Sequence, residues 1–213
     1  MPYFRNDNTN ILLIHIPKTG GSSVEHYFSC KFNIPLNNNS LFGFYIPDKT
    51  KNNNIIINSS LQHITYEQIY EYNKEFNIDF NNIKIITIVR NPYERIISDL
   101  FFNLLITINT TKEEVYVIIK NYIVSAEFDN HNIPQYLFIL NKNKEPASNI
   151  HILKTETLTR DMIELGYTDF NTFINNNKEH VNYYNYLNNK SIEIINNFYH
   201  FDFILFNYEK ITT

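Results

Sequence analysis

The 213-residue sequence predicts a single α/β domain built on a mostly parallel central sheet flanked by helices. Three observations lead there. Residues 11–16 (Ile-Leu-Leu-Ile-His-Ile) and 83–89 (Ile-Lys-Ile-Ile-Thr-Ile-Val) are short apolar runs rich in β-branched residues, which suits buried strands. Residues 150–154 (Ile-His-Ile-Leu-Lys) are a third strand candidate. Each run is followed by a turn and a helix-competent stretch, and that alternation builds parallel sheets with helices on both faces. The length suffices for one sizeable core, so residues 1–213 are read as one domain.

Taken in order, residues 1–9 are polar and read as a flexible start. The first strand runs into Pro17, Lys18, Thr19, Gly20, Gly21, Ser22 and Ser23, and a helix is expected from about residue 21 to 31. Residues 33–54 carry Pro35, Gly43, Pro47 and two Asn runs and read as a long loop. Residues 55–57, three isoleucines, suggest a short strand. Thr65 and Gln68 form a capping-box pattern opening a helix to about residue 76. After the strand at 83–89 comes Arg90, then Asn91 as N-cap, Pro92 in the first helical position and Glu94 three residues past the cap. Further helices are expected at 112–125, 134–140, 156–165 (closed by Gly166) and 191–199, ahead of an aromatic segment at 201–208.

Composition excludes several classes. Eighteen basic against 22 acidic residues give a net charge of −4, unlike a strongly basic nucleic-acid binder. Cys30 is the single cysteine, so no intrachain disulfide can form, and a reducing compartment fits. The run at 11–16 is too short for a signal peptide, and no apolar stretch is long enough to span a bilayer. An intracellular, cytoplasmic protein without a membrane span is the expectation. The acceptor patterns for glycosylation at Asn38, Asn58, Asn109 and Asn189 are explained by chance in an Asn-rich chain.

Strand, tight loop and helix together aim backbone N–H groups at an anion. Gly20 and Gly21 admit close approach, Lys18 supplies a point charge, and Thr19, Ser22 and Ser23 supply hydroxyls. The lysine precedes the glycines, so this is not the Walker A spacing, and an ordinary ATPase or nucleotide kinase is disfavoured. Arg90, at the end of the second strand, and Ser98, two turns into the next helix, suit a second anion. Alone, Arg90 is better explained by pairing with a nearby carboxylate, and Ser98 as helix filler. In a parallel sheet both cations fall at the carboxyl ends of strands, where ligands bind, which suggests one ligand with phosphates at both ends.

These residues carry a resemblance. The stretch from His15 to Ser23 resembles the 5′-phosphosulfate loop of the sulfotransferase family that includes heparan and chondroitin sulfotransferases. The stretch from Val89 to Ser98 is similar to that family's 3′-phosphate motif. Looser similarity extends to Gln62-His63, to His131 with Pro134-Gln135, to residues 154–158, to His180-Val181-Asn182, and to Asp202 and residues 206–208. The chain departs from the family at Tyr183 and Tyr184, where a serine is usual, and it shows no membrane anchor like that of Golgi members.

The resemblance implies a nucleotide-kinase-like sulfotransferase fold and a donor, 3′-phosphoadenosine 5′-phosphosulfate (PAPS), with 3′-phosphoadenosine 5′-phosphate (PAP) as product and no metal required. It implies Pro17, Lys18, Thr19, Gly20, Gly21, Ser22, Ser23, Arg90 and Ser98 as donor-binding residues, and Lys18 and His63 as catalytic, His63 deprotonating an acceptor hydroxyl. His131, Gln135 and His180 are expected on the acceptor side. The acceptor would be a glycan or a small molecule with a free hydroxyl, with neither nucleic acid nor membrane as partner. Alone, His63 is better explained as a residue bonding the start of the Thr65 helix, while Glu67 and Glu94 are weaker candidates for the base. A nucleotide or small-molecule kinase, or an inactive nucleotide-binding protein, is the alternative.

Overall fold

The computed structural model describes residues 1–45, 55–172 and 181–212. Four strands, β1 (Tyr3–Asn6), β2 (Thr9–Ile14), β3 (Lys84–Val89) and β4 (Ile150–Lys154), form one sheet in the order β1-β2-β3-β4. β1 runs antiparallel to β2, whereas β2/β3 and β3/β4 are parallel, with Leu13 opposite Ile86 and Ile86 opposite His151. The expected α/β domain with a mostly parallel sheet is what the structure shows.

Side chains alternate across β2 as a two-residue period demands. Ile11 and Leu13 pack with Val24, Phe28, Ile86, Leu158 and Met162 on one face. Leu12 and Ile14 pack with Leu61, Ile64, Ile69, Ile85 and Phe138 on the other. The first face is covered by α1 (Gly21–Phe32) and α5 (Leu158–Glu164), the second by α2 (Tyr66–Glu71) and a 3-10 turn at Gln135–Ile139. A third cluster, with Tyr93, Ile97, Leu100, Val115, Ile119, Ile195 and Phe203, joins α3 (Pro92–Phe102), α4 (Lys112–Tyr122), α6 (Asn189–Phe198) and α7 (His200–Leu205). Each such fully buried side chain stabilises the fold by roughly 1.5–3 kcal/mol.

Several elements differ from expectation. The opening residues are not a frayed start: Tyr3 and Phe4 are buried, the Leu13 amide donates to the Pro2 carbonyl at 2.9 Å, and Tyr3 Oη donates to Asn10 at 2.8 Å. Residues 55–57 form no strand, and Ile56 is 69% exposed. The helix capped by Thr65 ends at Glu71 rather than near residue 76. The 134–140 segment is a 3-10 turn beginning at Gln135. A 3-10 turn at Thr155–Thr157 precedes α5, and another at Tyr183–Tyr186 packs on α3. Among the described residues no helix is long and apolar enough to cross a membrane.

The parallel strands set the geometry for chemistry. β2, β3 and β4 end side by side, and the chain leaves them at Lys18, Arg90 and Thr155.

Candidate active site

Beyond β2 the chain turns sharply. Lys18 has φ 67°, a left-handed conformation that costs a non-glycine residue roughly 1–2 kcal/mol. Three hydrogen bonds hold that turn. Arg95 Nε donates to the Pro17 carbonyl at 3.1 Å, Arg90 Nη1 to the Lys18 carbonyl at 3.3 Å, and Thr155 Oγ1 to the Thr19 carbonyl at 2.6 Å. The same hydroxyl lies 3.1 Å from the Val89 carbonyl, so its one proton is shared between the loop and the end of β3. The Thr19 hydroxyl does not face outward as expected; Thr19 is fully buried and donates to the Ile16 carbonyl at 2.8 Å.

Gly20 caps α1 with φ 90°, and no side chain bonds the first amides of that helix. The Ser23 amide donates to the Gly20 carbonyl at 3.1 Å, and the start of α1 faces the loop with the positive end of its dipole. At Gly21 a Cβ would come within 2.8 Å of the His15 ring, so this position must be glycine for the ring to lie beneath the helix start. Ser22 is half-buried and Ser23 buried on the first turn.

Arg90 is half-buried, its Nη2 donating to Glu94 at 3.1 Å and its guanidinium lying 5.2 Å from the centroid of the Tyr183 ring. Its Nε is buried with no hydrogen-bond partner among the described residues. A buried unmet donor costs about 1–3 kcal/mol until something accepts from it. Ser98 is half-buried two turns further along α3, and its hydroxyl bonds no described residue. The bland alternative for Arg90, a carboxylate partner, is thus present in Glu94 yet leaves one donor unmet.

Three histidines stand in a row beside the loop. The rings of His15 and His63 meet edge-on with centroids 5.2 Å apart, and those of His63 and His131 at 4.8 Å. Each Nδ1 meets a carboxylate: His15 meets Glu25, His63 meets Asp129 at 2.7 Å, and His131 meets Asp99 at 2.7 Å. Phe102 then stacks on His131 at 5.6 Å and carries Lys18 Nζ 4.0 Å from its centroid. Arg95, which holds Pro17, also donates to the carbonyls of His131 at 2.6 Å and Ile133 at 2.9 Å, tying the loop to the histidine row.

Electrostatics separate these groups. Burial lowers the pKa of Lys18, opposed by the Asp99 charge and reinforced by Arg90. Burial pushes His63 down to about 4 against the pull of its Asp129 bond, so this imidazole is neutral near pH 7. Burial works against ionisation of Asp99, but the bond and charge of His131, the Tyr122 hydroxyl and Arg95 together hold its carboxyl below the usual range. His63, Asp129 and His131 also place one ligand-type atom each within 4.8 Å of one another. The arrangement can hold a proton, or a cation, at its imidazoles.

Of the residues singled out in the sequence, the loop, Arg90, His63 and His131 are brought to one edge of the sheet. Gln135, expected on the acceptor side, is fully buried and bonds both the N–H and the C=O of Arg90. His180 lies outside the described residues. Asp99, Asp129, Phe102, Arg95 and Thr155 were missed. Asp129 and His131 do fall two apart, a local hint of a paired function. A cavity of about 630 Å³ lined by Tyr3, Pro35, Asn37, Leu41 and Phe76 lies elsewhere, and no loop residue lines it.

Residues 1–165 match the family model described as "Sulfotransferase family". Searches of curated proteins and of solved structures found no match.

Proposed function

This chain belongs to the sulfotransferase family, and from that premise we propose that it transfers the sulfuryl group of PAPS to the hydroxyl of a carbohydrate acceptor. The observation that carries the donor assignment is the placement of two candidate anion sites, the Lys18 loop and Arg90, on one sheet edge. The uncapped start of α1 behind Lys18 offers backbone donors, and Arg90 keeps a buried Nε without a partner.

In this reading the 5′-phosphosulfate is bound by Lys18 and by the backbone of residues 19–23, with Ser22 and Ser23 adding hydroxyls. The 3′-phosphate is bound by Arg90, with Ser98 beside it. Such residues fit a bis-phosphorylated nucleotide because the two sites are separate yet share a strand edge. Lys18 is half-buried, where its charge is worth more than in water, and it neutralises charge on the group being transferred and on the phosphate it leaves. As the acceptor oxygen bonds to sulfur it must lose a proton, and one imidazole of the histidine row beside Lys18, His63 or His131, takes it. No step in this reading calls for a metal.

Calorimetry with PAP and AMP tests the donor. PAP should bind far more tightly than AMP; equal affinity would show that no site reads the 3′-phosphate.

A further inference from the structure

Resting on the sulfuryl-transfer reading, we propose that His131, oriented by Asp99, takes the acceptor's proton, and that His63 serves as the wall behind it. The position of His131 comes first. Its ring stacks on Phe102 at an interplanar angle of 14°, and the same Phe102 ring carries the Lys18 ammonium. His131 thus stands one ring from the cation that faces the transferring group. Its carbonyl is tied through Arg95 to the Pro17 carbonyl, so loop and base are held in register.

The partners of the two histidines then differ. Asp99 is 1% exposed and takes His131 Nδ1–H together with the Tyr122 hydroxyl. An ionised carboxylate behind Nδ1 fixes the tautomer that leaves Nε2 with its lone pair, and it stabilises the imidazolium once formed. Asp129 divides its acceptors among the Ser60 amide at 2.5 Å, the Ser60 hydroxyl at 2.8 Å and His63. His63 is 5% exposed and wedged edge-on between two other imidazoles, so a proton there is penalised by burial and by any charge on its neighbours. Asp99 also accepts from Asn103 Nδ2 at 3.2 Å, so what separates the two partners is burial: the Asp99 side chain is 2% exposed and that of Asp129 35%.

In the step, the acceptor oxygen forms a bond to sulfur while the bond from sulfur to the 5′-phosphate oxygen breaks. That electron pair stays on the phosphate, which leaves as PAP, and the acceptor proton passes to His131 Nε2. Asp99 is a positioning residue here; it touches no reacting atom.

The test uses the full chain, radiolabelled PAPS and an array of monosaccharide glycosides and phenols, with PAP affinity measured for each variant. His131→Gln should lose kcat by ~10²–10⁴-fold while PAP affinity holds, and added imidazole should restore turnover to His131→Gly. His63→Gln should lose far less. Imidazole ¹⁵N spectra of the wild type should show the proton of His131 on Nδ1, and Asp99→Asn should disturb that tautomer. If the array contains no acceptor, the tautomer alone decides. A proton on Nε2 of His131, or turnover lost in His63→Gln and kept in His131→Gln, overturns the assignment. Failure of the donor reading shows separately, as equal affinity of the wild type for PAP and AMP.

Discussion

The Gln135 side chain pairs with the Arg90 peptide in both directions: Arg90 N–H donates to Oε1 at 2.9 Å, and Nε2 donates to the Arg90 carbonyl at 2.9 Å. Asp202, on α7, in turn accepts from the amides of Gln135 at 2.9 Å and Tyr136 at 2.8 Å. A C-terminal helix thereby sets the end of β3, and with it the origin of the Arg90 side chain. The region matched to the family ends at residue 165, so this support for Arg90 comes from outside the match.

Gln135→Leu keeps the volume and removes both bonds. Two backbone groups of Arg90 then lose their partners, at about 1–3 kcal/mol for each that stays buried. Urea unfolding should show a loss of at least that size, and PAP binding should weaken. Stability equal to that of the wild type would mean that water or another side chain replaces Gln135.

Arg90→Ala should cost roughly 1.5–3 kcal/mol in PAP binding, the worth of a hydrogen bond to a charged group, with little change for AMP. Ser98→Ala should cost less, since it removes one neutral donor. Arg90→Lys should not restore affinity, because an ammonium lacks the planar fork and the Nε donor. Calorimetry on the three variants decides, and unaltered PAP binding in Arg90→Ala would move the 3′-phosphate elsewhere.

What the sequence made legible was local. β2 and β3 announce themselves as continuous apolar runs because helices or turns cover both their faces. The loop proposed to bind phosphate is contiguous, so its glycines, lysine and serines are read together. β1 was missed because Tyr3 and Phe4 are its only buried residues within a polar stretch, and an edge strand needs no more. The carboxylate–histidine pairs were not legible because His63 and Asp129 lie 66 positions apart and His131 and Asp99 32 apart. Gln135 follows Pro134 in a segment resembling an acceptor motif, and nothing local shows that its amide turns inward to Arg90. Thr19 was read as a donor to the ligand, whereas the left-handed turn at Lys18 buries its hydroxyl.

Gly21→Ala tests how tightly the His15 ring is wedged. On propensity alone, alanine should favour the helix by roughly 1 kcal/mol. The added methyl, however, meets the ring at 2.8 Å, and the ring is pinned by Glu25 on one side and His63 on another. Overpacking of this kind costs about 1–3 kcal/mol, so the variant should be less stable than the wild type and bind PAP more weakly. Thermal unfolding with and without PAP measures both. A more stable variant would show that His15 yields freely.

The pH dependence of stability follows from His63. Its pKa falls from 6.5 to about 4 on folding, chiefly by burial, with the charges of His15 and His131 adding to the fall and the Asp129 bond opposing it. The folded state therefore refuses a proton that the unfolded chain accepts. Above pH 6.5 neither state binds it and the contribution is fully present; as pH falls below 6.5 the unfolded state gains it and stability declines, until the folded state is also protonated near pH 4. The loss over that window is on the order of 3 kcal/mol. His63→Gln has no such group, so its stability should fall less steeply between about pH 7 and about pH 4. Other acids contribute to the slope, including Asp99 and Asp129, whose pKa values are also lowered in the fold. They titrate in both proteins, although loss of His63 weakens the Asp129 contribution, which acts toward the lower end of the range. Urea midpoints at matched pH values, with wild type and variant compared point by point, isolate the imidazole. Parallel curves through the upper half of that window would mean that His63 is protonated in the folded state, and would return it to contention as the proton acceptor.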